Sequence, residues 1–127
     1  MTDNDRVVLS VPARSEFART VRLASAELAA RAGMNIDDVD DVKLAVEEAF
    51  VYACERTAAA LVTFTFVLSE GSLELLVGPL AGPCEDQDGE AGDRYARFIL
   101  ESVCDEYAVI EADGACQLRV VKRAGQA

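Results

Sequence analysis

A two-layer α/β (α+β) sandwich, in which a mixed, mostly antiparallel sheet is covered on one face by three helices, is the fold predicted by this chain of 127 residues. Three observations carry that expectation. Apolar residues recur every three or four positions in three segments, and alternate with polar ones in the rest. The alternating segments come in pairs around short turn signals. The resulting order, β-α-α-β-β-loop-α-β-β, leaves a sheet and a helix layer that each need the other to bury an apolar face. The length suits one domain, 1–127 with its core at about 7–123, and no repeat or long linker divides it.

The elements follow in order. VVLSVP (7–12) alternates and stops at a proline, as a short first strand does. From Ser15 the spacing becomes helical through Phe17, Val21, Ala24, Leu28 and Ala32, and Gly33 stands where a helix stops. The opposite face carries Glu16, Arg19, Arg22 and Glu27. Asn35 is placed to cap a second helix, with Asp37 and Asp38 in the turn where the helix dipole favours negative charge. Its apolar stripe is Val39, Val42, Val46, Ala49 and Ala53, and it should run to about Thr57. LVTFTFVL (61–68) and SLELLVG (72–78) flank Glu70-Gly71 as a hairpin. PLAGPCEDQDGEAGD (79–93) has the composition of a mobile, solvated loop. RYARFILESVCD (94–105) regains helical spacing through Tyr95, Phe98, Ile99, Ser102 and Val103. YAVIEA and CQLRVVKR close the chain as a second hairpin around Asp113-Gly114.

Composition excludes several functions. With no histidine in the chain, Ser/His/Asp and Cys/His triads are impossible, as is an imidazole base. The four cysteines form no CxxC, which argues against zinc. Together with the absence of an export signal, it points to reduced thiols and a cytoplasmic location, with Cys54 and Cys104 acting as small core hydrophobes. A net charge of −11 argues against nucleic acid and anionic membranes, and suits a basic protein partner. No apolar run approaches the ~20 residues that cross a bilayer.

DDVKLAVEEA (40–49), FILESVCDEY (98–107), LRVVKR (118–123) and SEFART (15–20) are the strings with the most to say. In this order and spacing the chain resembles the anti-sigma factor serine/threonine kinases of the RsbW and SpoIIAB type. Those bacterial transcription regulators belong to the histidine-kinase-like ATPase superfamily. The resemblance covers about residues 7–123 and implies that superfamily's fold.

Carried over residue by residue, the resemblance implies that Glu48 is the general base acting on a partner's serine. It also implies an asparagine one turn later that holds Mg²⁺ and phosphate, where this chain has Tyr52. A phenol is a poor magnesium ligand, and Tyr52 reads better as filling the vacated pocket. Pro79 stands where an aspartate should read the adenine amino group, and Arg94 and Ala96 stand where glycines should cradle phosphates. A lost hydrogen bond to a charged group is worth ~1.5–3 kcal/mol. Two or three such losses, on the order of 5 kcal/mol, weaken an ATP site several thousand-fold. No ATP, magnesium or other metal is therefore expected. Arg19 matches the family's sigma-contacting arginine, with Glu16 beside the position of the accompanying acid.

The resemblance thus implies a regulator that binds a sigma factor or an anti-sigma antagonist, forms a homodimer, and has become a pseudoenzyme. Two alternatives stand beside it. One is an active serine kinase that binds Mg-ATP by altered contacts, with Glu48 as base. The other is a scaffold or sensor domain outside the sigma pathway. Plainer readings of the residues also hold: Glu47 and Glu48 as a solvated face, with Lys43–Glu47 an i,i+4 pair.

Overall fold

In a computed structural model, residues 5–81, 84, 91–112 and 114–125 are described, the backbone alone for 91–94. Strand β1 (Asp5–Pro12) leads through a turn of 3-10 helix (Ser15–Phe17) into α1 (Ala18–Arg31), and α2 (Ile36–Arg56) follows at once. Next come β2 (Leu61–Ser69), β3 (Ser72–Leu80), α3 (Ala91–Val103), β4 (Glu106–Ala112) and β5 (Ala115–Arg123). Among the described residues no helix is long and apolar enough to cross a membrane.

The five strands lie in the order β1-β2-β3-β5-β4. Each neighbouring pair is antiparallel, so the sheet is not mixed as expected. The reason is connectivity: β2–β3 and β4–β5 are hairpins, and the remaining connections bring each strand back against its neighbour's direction. Helix packing covers the face formed by Val62, Phe64, Phe66, Leu73, Leu75, Val77, Leu118 and Val120, all nearly inaccessible. Phe50 of α2 meets Phe64 at 5.9 Å between centroids, and Phe64 stacks on Phe66 at 5.8 Å. Aromatic pairs at such separations add to the area they bury. On the other face Ser10 and Thr63 hydrogen-bond through their hydroxyls at 2.7 Å.

Gly33 ends α1 at φ 89°, a conformation that costs a glycine little. The N–H of Gly71, in the β2–β3 turn, donates to the Ala32 carbonyl at 2.8 Å, and its own carbonyl accepts from Ala124 at 2.8 Å. One tight turn thereby ties α1 and the C-terminal segment to the sheet.

Two boundaries differ from expectation. β3 continues through Pro79 to Leu80, where the sequence suggests a loop from Pro79 onward. A register shift between Val77 and Leu80 lets proline sit there without removing a ladder bond from a regular strand. α3 begins at Ala91, inside the stretch expected to be loop. The rest of the mobile acidic loop expected at 82–93 lies outside the described residues, apart from Cys84, as does Asp113 of the second turn.

The phase of α3 also differs. Among its described side chains Ala96 and Leu100 are the buried ones, whereas Tyr95 and Phe98 are 62% and 65% exposed. The expected stripe through Tyr95 and Phe98 is thus displaced by about one residue.

Candidate functional site

α2 carries most of the candidate chemistry. The Asn35 side chain caps it by accepting the Asp38 N–H at 2.8 Å, satisfying a donor that the first turn otherwise leaves open. Val42, Ala45, Val46, Ala49, Phe50 and Ala53 are buried, which fixes the helix's rotation. With that stripe facing inward, Glu48, Tyr52 and Arg56 follow one another at four-residue spacing along its flank.

Glu48 is half-buried. Its carboxyl titrates above the ordinary glutamate range because burial disfavours the charged form, with the charges of Glu47 and Glu55 adding to the effect. Glu47 faces the other way and is bound by Arg22 of α1, Nη1 to Oε1 3.1 Å. The expected Lys43–Glu47 pair does not form; Lys43 turns back to Asp40 at 3.6 Å. The helix explains the choice, since an acid N-terminal to its base is the better orientation. Arg22, expected on an outward face, is a bridge between α1 and α2 instead.

Tyr52 is half-buried and packs against the core. The Arg56 guanidinium lies over its ring, 3.9 Å from the centroid. That geometry favours a cation against the face of the ring. Arg56 also lies 3.7 Å from the Glu55 carboxylate, and its backbone carbonyl accepts the Ala81 N–H at 2.8 Å. The last contact draws the end of β3, with exposed Pro79, toward the C-terminal end of α2. Arg56 escaped the sequence reading, although its place four residues after Tyr52 is the signal that could have found it.

Arg94 lies in the first turn of α3, and its side chain is outside the described residues. Ala96 is buried, more than a turn inside the same helix. An N–H so far from a helix start is already directed at a carbonyl four residues earlier, so it is not a free donor for a phosphate. Tyr52 presents an aromatic face already occupied by a guanidinium, and Pro79 carries no carboxylate. The described residues at these positions do not fit the magnesium and triphosphate that the resemblance implies. Among the described residues no group of three or more acidic or cysteine side chains could hold a metal.

Glu16 and Arg19 lie apart from this cluster. Both are exposed, Glu16 in the 3-10 turn and Arg19 in the first turn of α1. Four residues on, Leu23 is 56% exposed, and the Arg14 guanidinium sits 5.2 Å from the centroid of Phe17. Glu16, Arg19 and Leu23, at helical spacing, make a charged patch with an apolar member. Leu23 was missed in the sequence because it looks like any core leucine.

Comparison with known proteins agrees with this architecture. The family model described as the histidine kinase-like ATPase domain matches residues 11–96. Serine-protein kinase RsbW of Halalkalibacterium halodurans is 27% identical over 128 residues, spanning 87% of this chain and 78% of its own length. The protein of the same name from Staphylococcus aureus is 25% identical, spanning 87% of this chain and 82% of itself. Among solved structures, the RsbU and RsbW domains of a Mycobacterium tuberculosis protein superpose with a TM-score of 0.65 at 21% identity. That match covers 94% of this chain and 32% of the other, and at such identity it speaks to fold.

Proposed function

This chain belongs to the histidine kinase-like ATPase family, and we propose that it acts there as an anti-sigma-type regulator working by protein binding, without useful ATP binding. The observation that carries the reading is the Tyr52–Arg56 stack at 3.9 Å, one turn beyond Glu48. Where the resemblance asks for a magnesium-binding amide, two side chains of the protein itself occupy each other. The relatives are named serine-protein kinase RsbW, and the anti-sigma part of the reading rests on the resemblance of the sequence motifs. The partner is a sigma factor or an anti-sigma antagonist, met in the cytoplasm at the patch of Glu16, Arg19 and Leu23. A net charge of −11 favours a basic partner surface and fast, salt-dependent association.

One observation favours a kinase as second reading. Glu48 has a raised pKa, as a proton acceptor working near neutrality needs. Thermal unfolding with and without millimolar Mg-ATP separates the two. A ligand at a hundred times its Kd adds ~2.7 kcal/mol of stability, a rise of roughly 8–13 °C for a domain of this size. The expected result is no shift, together with partner capture that Arg19→Glu weakens at least about tenfold. A saturable shift, with phosphate on a partner's serine that disappears in Glu48→Ala, would establish the kinase. Failure to capture either a sigma factor or an antagonist would point outside the sigma pathway.

The same reading includes a homodimer. β1 and β4 are open sheet edges, and Val8 of β1 is 60% exposed on the face without helices. Light scattering at high concentration is expected to give twice the mass of one chain; the mass of one chain would remove the dimer from the proposal.

A further inference from the structure

α2 packs against α1 on one side and α3 on the other, and α3 packs in turn against β4. Two contacts fix how the helices are rotated. Glu47 of α2 is held by Arg22 of α1 at 3.1 Å. Glu48 lies about 100° further round the helix, so it and Tyr52, one turn on, take the flank towards α3. On α3, Glu101 accepts the hydroxyl of Tyr107 on β4 at 3.1 Å. Tyr95 lies about 120° round from Glu101, on the flank towards α2, with Phe98 on the crest between them. Just beyond α3, Asp105 donates its N–H to Val121 at 2.8 Å, and the adjoining Lys122 reaches Asp41 near the start of α2 at 3.0 Å. The chain comes to α3 from Ala81, which the Arg56 carbonyl holds at the other end of α2. The two helices therefore run in opposite directions, and their facing flanks make one surface.

That surface is apolar and acidic at once. Tyr95 and Phe98 stand exposed on α3, and Leu44, on α2, is 40% exposed. Large apolar side chains exposed together and rimmed by charge mark interaction surfaces. The charges here are mostly acids. Glu48 has Glu47 and Glu55 as its charged neighbours, and Glu101 lies exposed on the far rim. Arg56 lies over the ring of Tyr52 at 3.9 Å, whereas the Tyr95 ring has no such cation among the described residues. An exposed ring near a carboxylate suits a cation, and the apolar surface beside it suits the cation's hydrocarbon stem.

We propose that the α2–α3 surface of Leu44, Glu48, Tyr95 and Phe98 docks a basic amphipathic helix of a protein partner, its apolar stripe on the aromatics and a lysine or arginine at Glu48. Charge selects this occupant. A chain of net charge −11 repels anionic lipid and polyphosphate, while a helix with an apolar stripe and basic flanks matches both halves of the surface. The site is separate from the patch of Glu16, Arg19 and Leu23, and it stands whether or not the partner is a sigma factor.

The probe is a fluorescein-labelled amphipathic helix of leucine and lysine, about 18 residues long, titrated with the full chain and read by anisotropy. Saturable binding is expected, weakening as salt rises from roughly 0.05 to 0.3 M. Phe98→Ser and Tyr95→Ser should each weaken it about tenfold, and Glu48→Gln about threefold. Ile36→Ser, also an exposed position but on the flank of α2 towards α1, should leave it unaltered. Far-ultraviolet circular dichroism confirms that each variant is folded. A peptide with glutamate in place of lysine should not bind. Absence of saturable binding, equal binding of the glutamate peptide, or undiminished binding by both Phe98→Ser and Tyr95→Ser would each overturn the proposal. Binding of the unaltered chain, but not of Phe98→Ser, to phosphatidylcholine vesicles would overturn it in favour of a lipid contact. Neither ATP nor Arg19 enters this test, so its failure is distinct from a failure of the anti-sigma reading.

Discussion

The two ends of α2 use the same side-chain types to opposite effect. At the N-terminal end Asp38 is buried and accepts the Gly125 N–H at 2.9 Å, while Lys122 lies 3.0 Å from Asp41 and 3.9 Å from Asp38. The acids there sit where the helix dipole welcomes them, and Asp38 and Asp41 each have a partner near the end of the chain. Toward the C-terminal end Glu47, Glu48 and Glu55 crowd one another. Arg22 takes Glu47, and Arg56 lies near Glu55 but stacks on Tyr52. Glu48 is left with a raised pKa. One end is arranged for stability, and the other holds charge at a cost, as functional surfaces often do. The contrast also separates a motif string from the work its residues do: DDVKLAVEEA (40–49) spans both regimes, from Asp41 to Glu48.

The largest effect should come from the well-paired end. Asp38→Ala removes a buried acceptor and leaves the Gly125 N–H and Lys122 with less, at about 2–3 kcal/mol. Calorimetry should show Tm falling by roughly 6–12 °C. A loss below a degree would mean that the two ends are not so different.

The aromatic stack comes next. Tyr52→Ala removes a half-buried ring and the surface under Arg56, and should cost about 1.5–2.5 kcal/mol in denaturant unfolding. Tyr52→Phe keeps both contacts of the ring and should lose clearly less. An equal loss from both would place the stabilisation in the hydroxyl and weaken the argument from the guanidinium stack.

Glu48 offers the smallest and most diagnostic change. Its folded pKa lies above the unfolded value, so the folded state binds the proton more tightly. Its cost to stability is therefore full above the folded pKa and fades as pH falls through that pKa toward the ordinary glutamate value of 4.5. Glu48→Gln should raise Tm at neutral pH by roughly 1–2 °C, because solvent screens a partly exposed group. The gain should vanish in acid. A gain of equal size at both pH values would show that packing, not charge, is responsible.

Much of this was legible in the chain. α2 was expected to start after Asn35 and to end near Thr57, and it spans Ile36–Arg56 with the Asn35 side chain as cap. Of its expected stripe, Val42, Val46, Ala49 and Ala53 are buried, and Val39 is half-buried against the core. α3 was recognised as a helix but with the wrong face inward. Aromatic Tyr95 and Phe98 weighed more in the pattern than small Ala96, yet the face that packs is the one with Ala96 and Leu100. The candidate site was legible as a set of positions, not as an arrangement. Nothing in the string YACER says that Arg56 lies over Tyr52 while its backbone holds Ala81.

By itself the sequence determined the period, caps and turns of nearly every element. Those properties depend on residues within a few positions of one another, where spacing alone sets the energy. Only the tertiary structure decided the antiparallel order of the sheet, the face α3 turns inward, and the pairings Arg22–Glu47, Lys122–Asp41 and Gly125–Asp38. Each joins residues far apart in the chain, and its geometry exists only once packing has brought their elements together.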